Sequence, residues 1–239
     1  MSVLVITGTG TEVGKTAVTA GIAALARAEG RRVAVLKPAQ TGLLPGEPGD
    51  VAEVARLAGD VTTRELARYP DPLAPATAAR RAGMATVHPA DVAAAVTELD
   101  ADHDLVLVEG AGGLLVRFDE GGSTLADIAW AVNAPVLIVA QAGLGTLNTT
   151  TLTAEALQRR GIESLGVVVG SWPLHPDLAS LTNLADLPDA AGGPLLGALP
   201  QGVTKLGSVD FLAVAKRSFS PWFGGEFDPE TFAAQFAVQ

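Results

Sequence analysis

Six short runs of Val, Ile and Leu recur along the chain and do not alternate with polar residues: "VLVIT" (3–7), "VAVLK" (33–37), "LVLVE" (105–109), "VLIVA" (136–140), "LGVVV" (165–169) and "PLLGAL" (194–199). A strand with one wet face alternates apolar and polar side chains, so runs of this kind belong to strands buried on both faces, as in parallel sheets covered by helices. Helix-length stretches separate most of them, at about 15–29, 50–58, 89–99, 124–133, 146–160, 177–187 and 208–217. Several open on Asp, Ser or Thr, which satisfy free backbone N–H groups. The order is β-α-β with right-handed crossovers, and the expected fold class is α/β: a doubly wound, mostly parallel sheet flanked by helices. With 239 residues, 48% of them hydrophobic, the chain can bury a sizeable core, and a single domain over 1–239 is expected.

In open α/β sheets ligands bind beyond the carboxyl ends of the strands. After the first run comes "GTGTEVGKT" (8–16), a glycine-rich turn leading into a helix. It has the makings of a P-loop: Gly14 lets the backbone curl, successive N–H groups face inward, Lys15 meets the β- and γ-phosphates, and Thr16 sets its hydroxyl on Mg²⁺. The usual pattern has four residues between Gly and Gly-Lys, whereas here five separate Gly8 from Gly14.

Lys37 ends the second run, where an ammonium is costly to desolvate unless it meets an anion. Glu109 ends the third and is followed by "GAGG", so its carboxylate could ligate Mg²⁺, a hard cation that prefers oxygen. Asp50 reads as the start of the helix "DVAEVARLAG". "GLGTLNTT" (143–150) opens another helix and offers a second anion site. Trp172 in "GSWP" could stack on a base, though packing is the commoner role for an aromatic there. His88, His103 and His175 have no carboxylate partner nearby in sequence and read as surface or loop residues. "TGLLPGEPGD" (41–50) and "SPWFGGEFDP" (220–229) read as loops, the latter leading to a short terminal helix.

Composition narrows the partners. A net charge of −10 argues against a nucleic-acid footprint, and the four lysines (15, 37, 205 and 216) leave any anion to be held locally. The chain has no Cys, which excludes thiolate chemistry and agrees with the cytosol. Its apolar runs fall far short of the roughly twenty residues that span a bilayer, and its start lacks the pattern of a secretory signal. A cytoplasmic protein without membrane or nucleic-acid partners is expected.

Together these motifs resemble the dethiobiotin synthetases, ATP-dependent enzymes that close the ureido ring of 7,8-diaminononanoate with CO₂. That family carries a P-loop variant, Gly-Thr-x-Thr-x-Val-Gly-Lys-Thr, which residues 8–16 match with the same spacing. The similarity continues in order through "KPAQTG" (37–42), "VEGAGGLLV" (108–116), "GLGTLN" (143–148) and "LLGALP" (195–200). The resemblance implies a P-loop NTPase-like fold and catalytic roles for Lys37, Lys15 and Thr11. It assigns the nucleoside triphosphate to Glu12, Val13, Gly14, Lys15, Thr16, Ala17, Asp50, Glu109, Gly110, Ala111 and Gly112, with Gly170, Ser171, Leu199, Pro200 and Gln201 around base and ribose. Mg²⁺ falls to Thr16, Asp50 and Glu109. The diamine falls to Thr41, and its carboxylate to Leu144, Gly145, Thr146 and Asn148, in this family often across a homodimer interface. Two departures are Gly10, where many members have Asp, and "GSWP", which lacks the Asn that in many members recognises adenine, so the co-substrate is ATP or another nucleoside triphosphate. The alternative is a regulatory or partitioning ATPase of the deviant P-loop families; such proteins tend to carry an extra Lys early in the loop, where this chain has Gly10, Thr11 and Glu12.

Overall fold

The computed structural model describes residues 2–236. Its strands are Val3–Gly8 (β1), Val33–Thr41 (β2), Thr62–Tyr69 (β3), Leu105–Gly113 (β4), Val136–Ala140 (β5), Ser164–Trp172 (β6) and Leu195–Pro200 (β7). The helices are Lys15–Ala28 (α1), Asp50–Ala58 (α2), Pro75–Ala82 (α3), Pro89–Asp100 (α4), Leu125–Ala131 (α5), Thr146–Gln158 (α6), Leu178–Ala191 (α7), Ser208–Ser218 (α8) and Pro229–Ala234 (α9). All seven strands lie in one sheet, ordered β3-β2-β4-β1-β5-β6-β7, and every pairing between them is parallel. The expectation of one domain over 1–239 also takes in Met1 and residues 237–239, which lie outside the described residues.

Two cores explain the unbroken apolar runs. In β1, Val5 joins the cluster built with α4, α5, α6 and α7, while Leu4 and Ile6 join the opposite cluster with α1, α2 and α8. Each strand residue thus leaves water whichever way it points, and alternation with polar residues has no role.

Two elements depart from the sequence expectation. β3 is an edge strand, partly exposed along most of "TTRELARY", so it lacks the apolar signature of its neighbours. α3 is a short Ala-rich helix that starts on Pro75, and it follows β3 in a span where no element was expected. β2 and β4 also run on past Lys37 and Glu109, to Thr41 and Gly113. The motifs that follow the apolar runs are therefore still strand for several residues. α7 carries on through Pro188 and stops at Gly192, which is left-handed (φ 62°). The segment 220–229 holds a single short helical turn, Pro221–Phe223, before α9.

Register places the charged strand ends. Leu36 of β2 pairs with Val108 of β4, and Ile6 of β1 pairs with Glu109. Lys37 and Glu109 consequently emerge side by side, next to the turn from β1 into α1. The chain leaves β1 toward β2 on one side and returns to β5 on the other, so this is the point where strand order reverses.

Candidate nucleotide and substrate cleft

The loop after β1 curls over the first turn of α1. Gly14 sits just before the helix in a left-handed conformation (φ 96°), and a Cβ there would run into the backbone of Gly170 on β6. Only glycine fits both demands. Val13 is buried and anchors the loop, and Lys15 folds back so that its Nζ donates to Gly10 O at 2.9 Å. No side chain caps the start of α1, so its first N–H groups and the positive end of its dipole face the cleft. Glu12 takes φ 58°, uncommon for a residue with a side chain and typical of strained functional loops. A Cβ on Gly10 would meet nothing closer than Val13 Cγ1 at 3.9 Å, so this position does not require glycine.

Lys37 is 3% exposed and lies at the centre of a charged knot. Its Nζ is 2.5 Å from Asp50 Oδ2 and 2.9 Å from Glu109 Oε1, and it donates to Gly110 O at 3.0 Å. Thr16 Oγ1 donates to the same Glu109 oxygen at 2.9 Å. Burial pulls the Lys37 pKa down, but Glu109 and Asp50 more than reverse this and hold it above the usual lysine value. Lys15 goes the other way, lowered to about 8 by burial first and by the Lys37 charge second.

The donor set suits Mg²⁺. Glu109 is 1% exposed, yet its Oε2 has no protein partner, which is rare for a buried carboxylate oxygen. The hydroxyl of Thr16 and the carboxylates of Asp50 and Glu109 are all hard oxygen donors, with the Lys37 ammonium standing between the two carboxylates. Among the described residues no three His, Cys, Asp or Glu cluster to form a cage. A cation held by few side chains, with phosphate oxygens and water completing the shell, is the usual manner of Mg²⁺.

These groups line a cleft of about 850 Å³. Thr11, Glu12, Gly14, Lys15, Thr16 and Ala17 form one side, and Lys37, Thr41, Asp50, Glu109, Ala111 and Gly112 the other. An apolar wall of Leu43, Pro72, Leu73, Pro75 and Val116 completes it. The sequence reading missed this wall, although the Pro-rich "PDPLAP" (70–75) marked an irregular connection there. Thr204, past the end of β7, also reaches the cleft.

The remaining expected residues are placed less directly. Gly170 packs on Gly14, and Ser171 opens into a neighbouring hollow of about 420 Å³ that it shares with Glu12. Leu199 is fully buried in the core, so its side chain is packing and only its backbone faces the strand end. Pro200 and Gln201 follow at the end of β7, where Gln201 N–H donates to Trp172 O at 2.7 Å, and none of the three lines the cleft. Leu144, 91% exposed, Gly145, Thr146 and Asn148 likewise stay off the cleft of their own chain. Trp172 packs against Phe232 and Phe236, with ring centroids at 5.2 and 5.4 Å, which fulfils the packing role.

His88 is exposed just before α4, in keeping with the surface or loop reading, and it has a partner that is distant in sequence. His88 Nδ1 lies 2.9 Å from Asp119 Oδ2, a partner 31 residues away that no local motif announces. His103 is tied to Leu99 O and Thr62 Oγ1, both at 2.7 Å.

A parallel sheet with a glycine loop, a Lys-Thr pair opening a helix and an acidic strand end beside it defines a P-loop nucleoside-triphosphate-binding protein. A family model described as an AAA domain matches residues 2–204. Solved structures agree on the fold: the septum site-determining protein MinD complexed with Mg-ADP from Pyrococcus horikoshii has a TM-score of 0.55 at 16% identity, covering 90% of this chain and 92% of that one. Sequence relatives are far nearer. The chain is 65% identical over 99% of both chains to an ATP-dependent dethiobiotin synthetase of Streptomyces avermitilis. It is 66% identical to that of Saccharopolyspora erythraea (95% of this chain, 99% of the other), and 50% identical to that of Mycolicibacterium vanbaalenii (94% and 99%). The chain belongs to the ATP-dependent dethiobiotin synthetase family. The regulatory or partitioning ATPase reading rests on fold alone and is set aside.

Proposed function

We propose that this chain is a Mg²⁺-dependent, ATP-driven ligase that inserts CO₂ between the two amines of 7,8-diaminononanoate and closes the ureido ring of dethiobiotin. One observation carries the reading. A buried Lys37 sits within ion-pair distance of Asp50 and Glu109 in the same cleft as a P-loop lysine. The deviant P-loop switches tend to carry their extra lysine early in the loop, whereas here the second ammonium stands on β2 between two carboxylates; that position suits a reaction that develops charge on carboxylate and phosphoryl oxygens.

In this reading one amine of the substrate takes up CO₂ and loses a proton, giving a carbamate. A carbamate oxygen attacks the γ-phosphorus, and the nucleoside diphosphate leaves. The second amine then adds to the carbonyl carbon of the mixed anhydride, phosphate departs, and the nitrogen gives up its proton. Lys37 holds the carbamate and phosphoryl oxygens together, Lys15 and the N–H groups at the start of α1 carry the β- and γ-phosphates, and Thr11 and Thr41 orient the diamine. Thr16, Asp50 and Glu109 would hold Mg²⁺, which would supply positive charge to the triphosphate. Catalysis is then positioning and electrostatics rather than covalent chemistry.

The apolar wall of Leu43, Leu73 and Val116 suits the hydrocarbon tail of the diamino acid. Its carboxylate would be received by the 144–148 turn of a second copy, because this turn does not reach the cleft of its own chain. A cytoplasmic homodimer of single-domain subunits follows; no described helix is long and apolar enough to cross a membrane. ATP is the co-substrate that the relatives' names give, and the Gly170-Ser171 segment would meet the base without an Asn.

The test is ring closure by purified protein with diaminononanoate, ¹³C-bicarbonate, Mg²⁺ and ATP. The label is expected at the ureido carbonyl of dethiobiotin. ATP hydrolysis with no labelled ring product would favour the switch reading.

A further inference from the structure

Asp50 is the first residue of α2, and Gly49 before it has no side chain with which to cap the helix. The missing acceptor comes from another element. Gln40, 6% exposed near the end of β2, accepts the Asp50 N–H on Oε1 at 2.9 Å, and its Nε2 donates to Thr41 O at 3.3 Å. Beside it, Arg68 of β3 is gripped by Glu65, with Nε–Oε1 at 2.7 Å and Nη2–Oε2 at 2.9 Å. The free side of that guanidinium donates to Leu44 O at 3.1 Å and Glu47 O at 2.5 Å. A Cβ on Gly49 would lie 2.8 Å from Gln40 Oε1 and 2.9 Å from Arg68 Nη2. The backbone therefore threads between two polar side chains with no room to spare, and residues 42–49 are folded around them.

This arrangement bears on the charged knot. The Asp50 side chain is 35% exposed, so water competes for it, and its 2.5 Å contact with Lys37 depends on where the start of α2 stands. Gln40 sets that start. We propose that Gln40 is a positioning residue for the divalent-cation site: its side-chain oxygen fixes the first residue of α2 and so aims the Asp50 carboxylate at the position shared with Thr16 and Glu109. The inference rests on the reading of Asp50 as a metal ligand, and it gives the glutamine of "KPAQTG" a role separate from those of Lys37 and Thr41.

The experiment is Mn²⁺ binding in the presence of ADP, followed by electron paramagnetic resonance on the full chain without diamine. Gln40→Met keeps the volume and removes the acceptor; it is expected to weaken Mn²⁺ binding by about tenfold, the scale of one hydrogen bond of this kind, while metal-free ADP affinity holds. Gln40→Glu keeps an acceptor oxygen and is expected to restore Mn²⁺ affinity. In turnover, the half-saturating Mg²⁺ concentration should rise for Gln40→Met more than the maximal rate falls. Unchanged Mn²⁺ affinity in Gln40→Met, with Asp50→Asn impaired, would overturn this inference alone; unchanged affinity in Asp50→Asn as well would overturn the metal reading beneath it. Should Gln40→Met fail to fold, Arg68→Met loosens the same loop from its other side. It is expected to weaken Mn²⁺ binding too, and wild-type affinity there would count against the inference.

Discussion

Lys37 answers two carboxylates at once, and this makes it both a structural and a chemical group. Glu109 is almost wholly buried and Asp50 partly so, and removing the ammonium leaves buried negative charge without its counter-ion. Breaking a buried pair in this way costs about 3–5 kcal/mol. Lys37→Ala is therefore expected to fold with a lowered melting temperature in metal-free buffer and to recover part of it when Mg²⁺ is added, since a ligand of the folded state alone stabilises it. Its turnover should fall by on the order of 100-fold or more, the scale of a lost oxyanion-type donor. Calorimetry with and without Mg²⁺, beside an activity assay, checks both; near-normal turnover would remove the role assigned to Lys37. The two charges were legible in the sequence because each ends an apolar run, where a core has no use for it. Gln40 was not, because its work depends on a residue ten positions on meeting it across a folded loop. Nor was the pairing of His88 with Asp119, whose sequence separation hides it.

At the scale of elements, the apolar runs located six strands because burial on both faces leaves an unmistakable pattern, and the edge strand β3 escaped because its outer edge and part of its faces are wet. α3 escaped for a different reason: it is only eight residues long, and the face it buries is made of Pro75, Ala76, Ala78 and Ala79, with no large apolar side chain to mark it. One tie between elements has a measurable signature. Asp119 is 2% exposed; its Oδ1 accepts the Ser123 N–H at 2.9 Å and its Oδ2 meets His88, the residue before α4. Burial raises its pKa, but the bonds from Ser123 and His88 outweigh this and lower it to about 2. Because the folded value lies below the ordinary carboxylate value of about 3.9, this group stabilises the fold above about pH 4, and that contribution is lost as pH falls through about 2. The melting-temperature gap between the unmutated chain and Asp119→Asn should be full at pH 5 to 6 and should shrink between about pH 4 and 2. A gap that does not change with pH would mean that the carboxylate charge contributes nothing to this tie.

On the whole-molecule scale, the doubly wound sheet brings the ends of β1, β2 and β4 to one place, and the P-loop, the lysine pair and the acidic residues meet there. The sequence order of the motifs predicted this gathering, since each follows a strand. It could not show that the 144–148 turn stands clear of the cleft, because its distance from the site is a property of the assembled sheet. If that turn serves a second copy, Leu144→Asp should shift the sedimenting species from dimer to monomer and raise KM for the diamine while leaving KM for ATP nearly unchanged. A monomeric, fully active unmutated protein would contradict that arrangement. The central claim is that the cleft couples phosphoryl transfer to ring closure. The most direct measurement is phosphate released per dethiobiotin formed, with and without diaminononanoate, in the labelled-bicarbonate reaction. One phosphate is expected for each ring, with negligible release without the diamine; phosphate released at the same rate in its absence would mean that the two steps are not coupled.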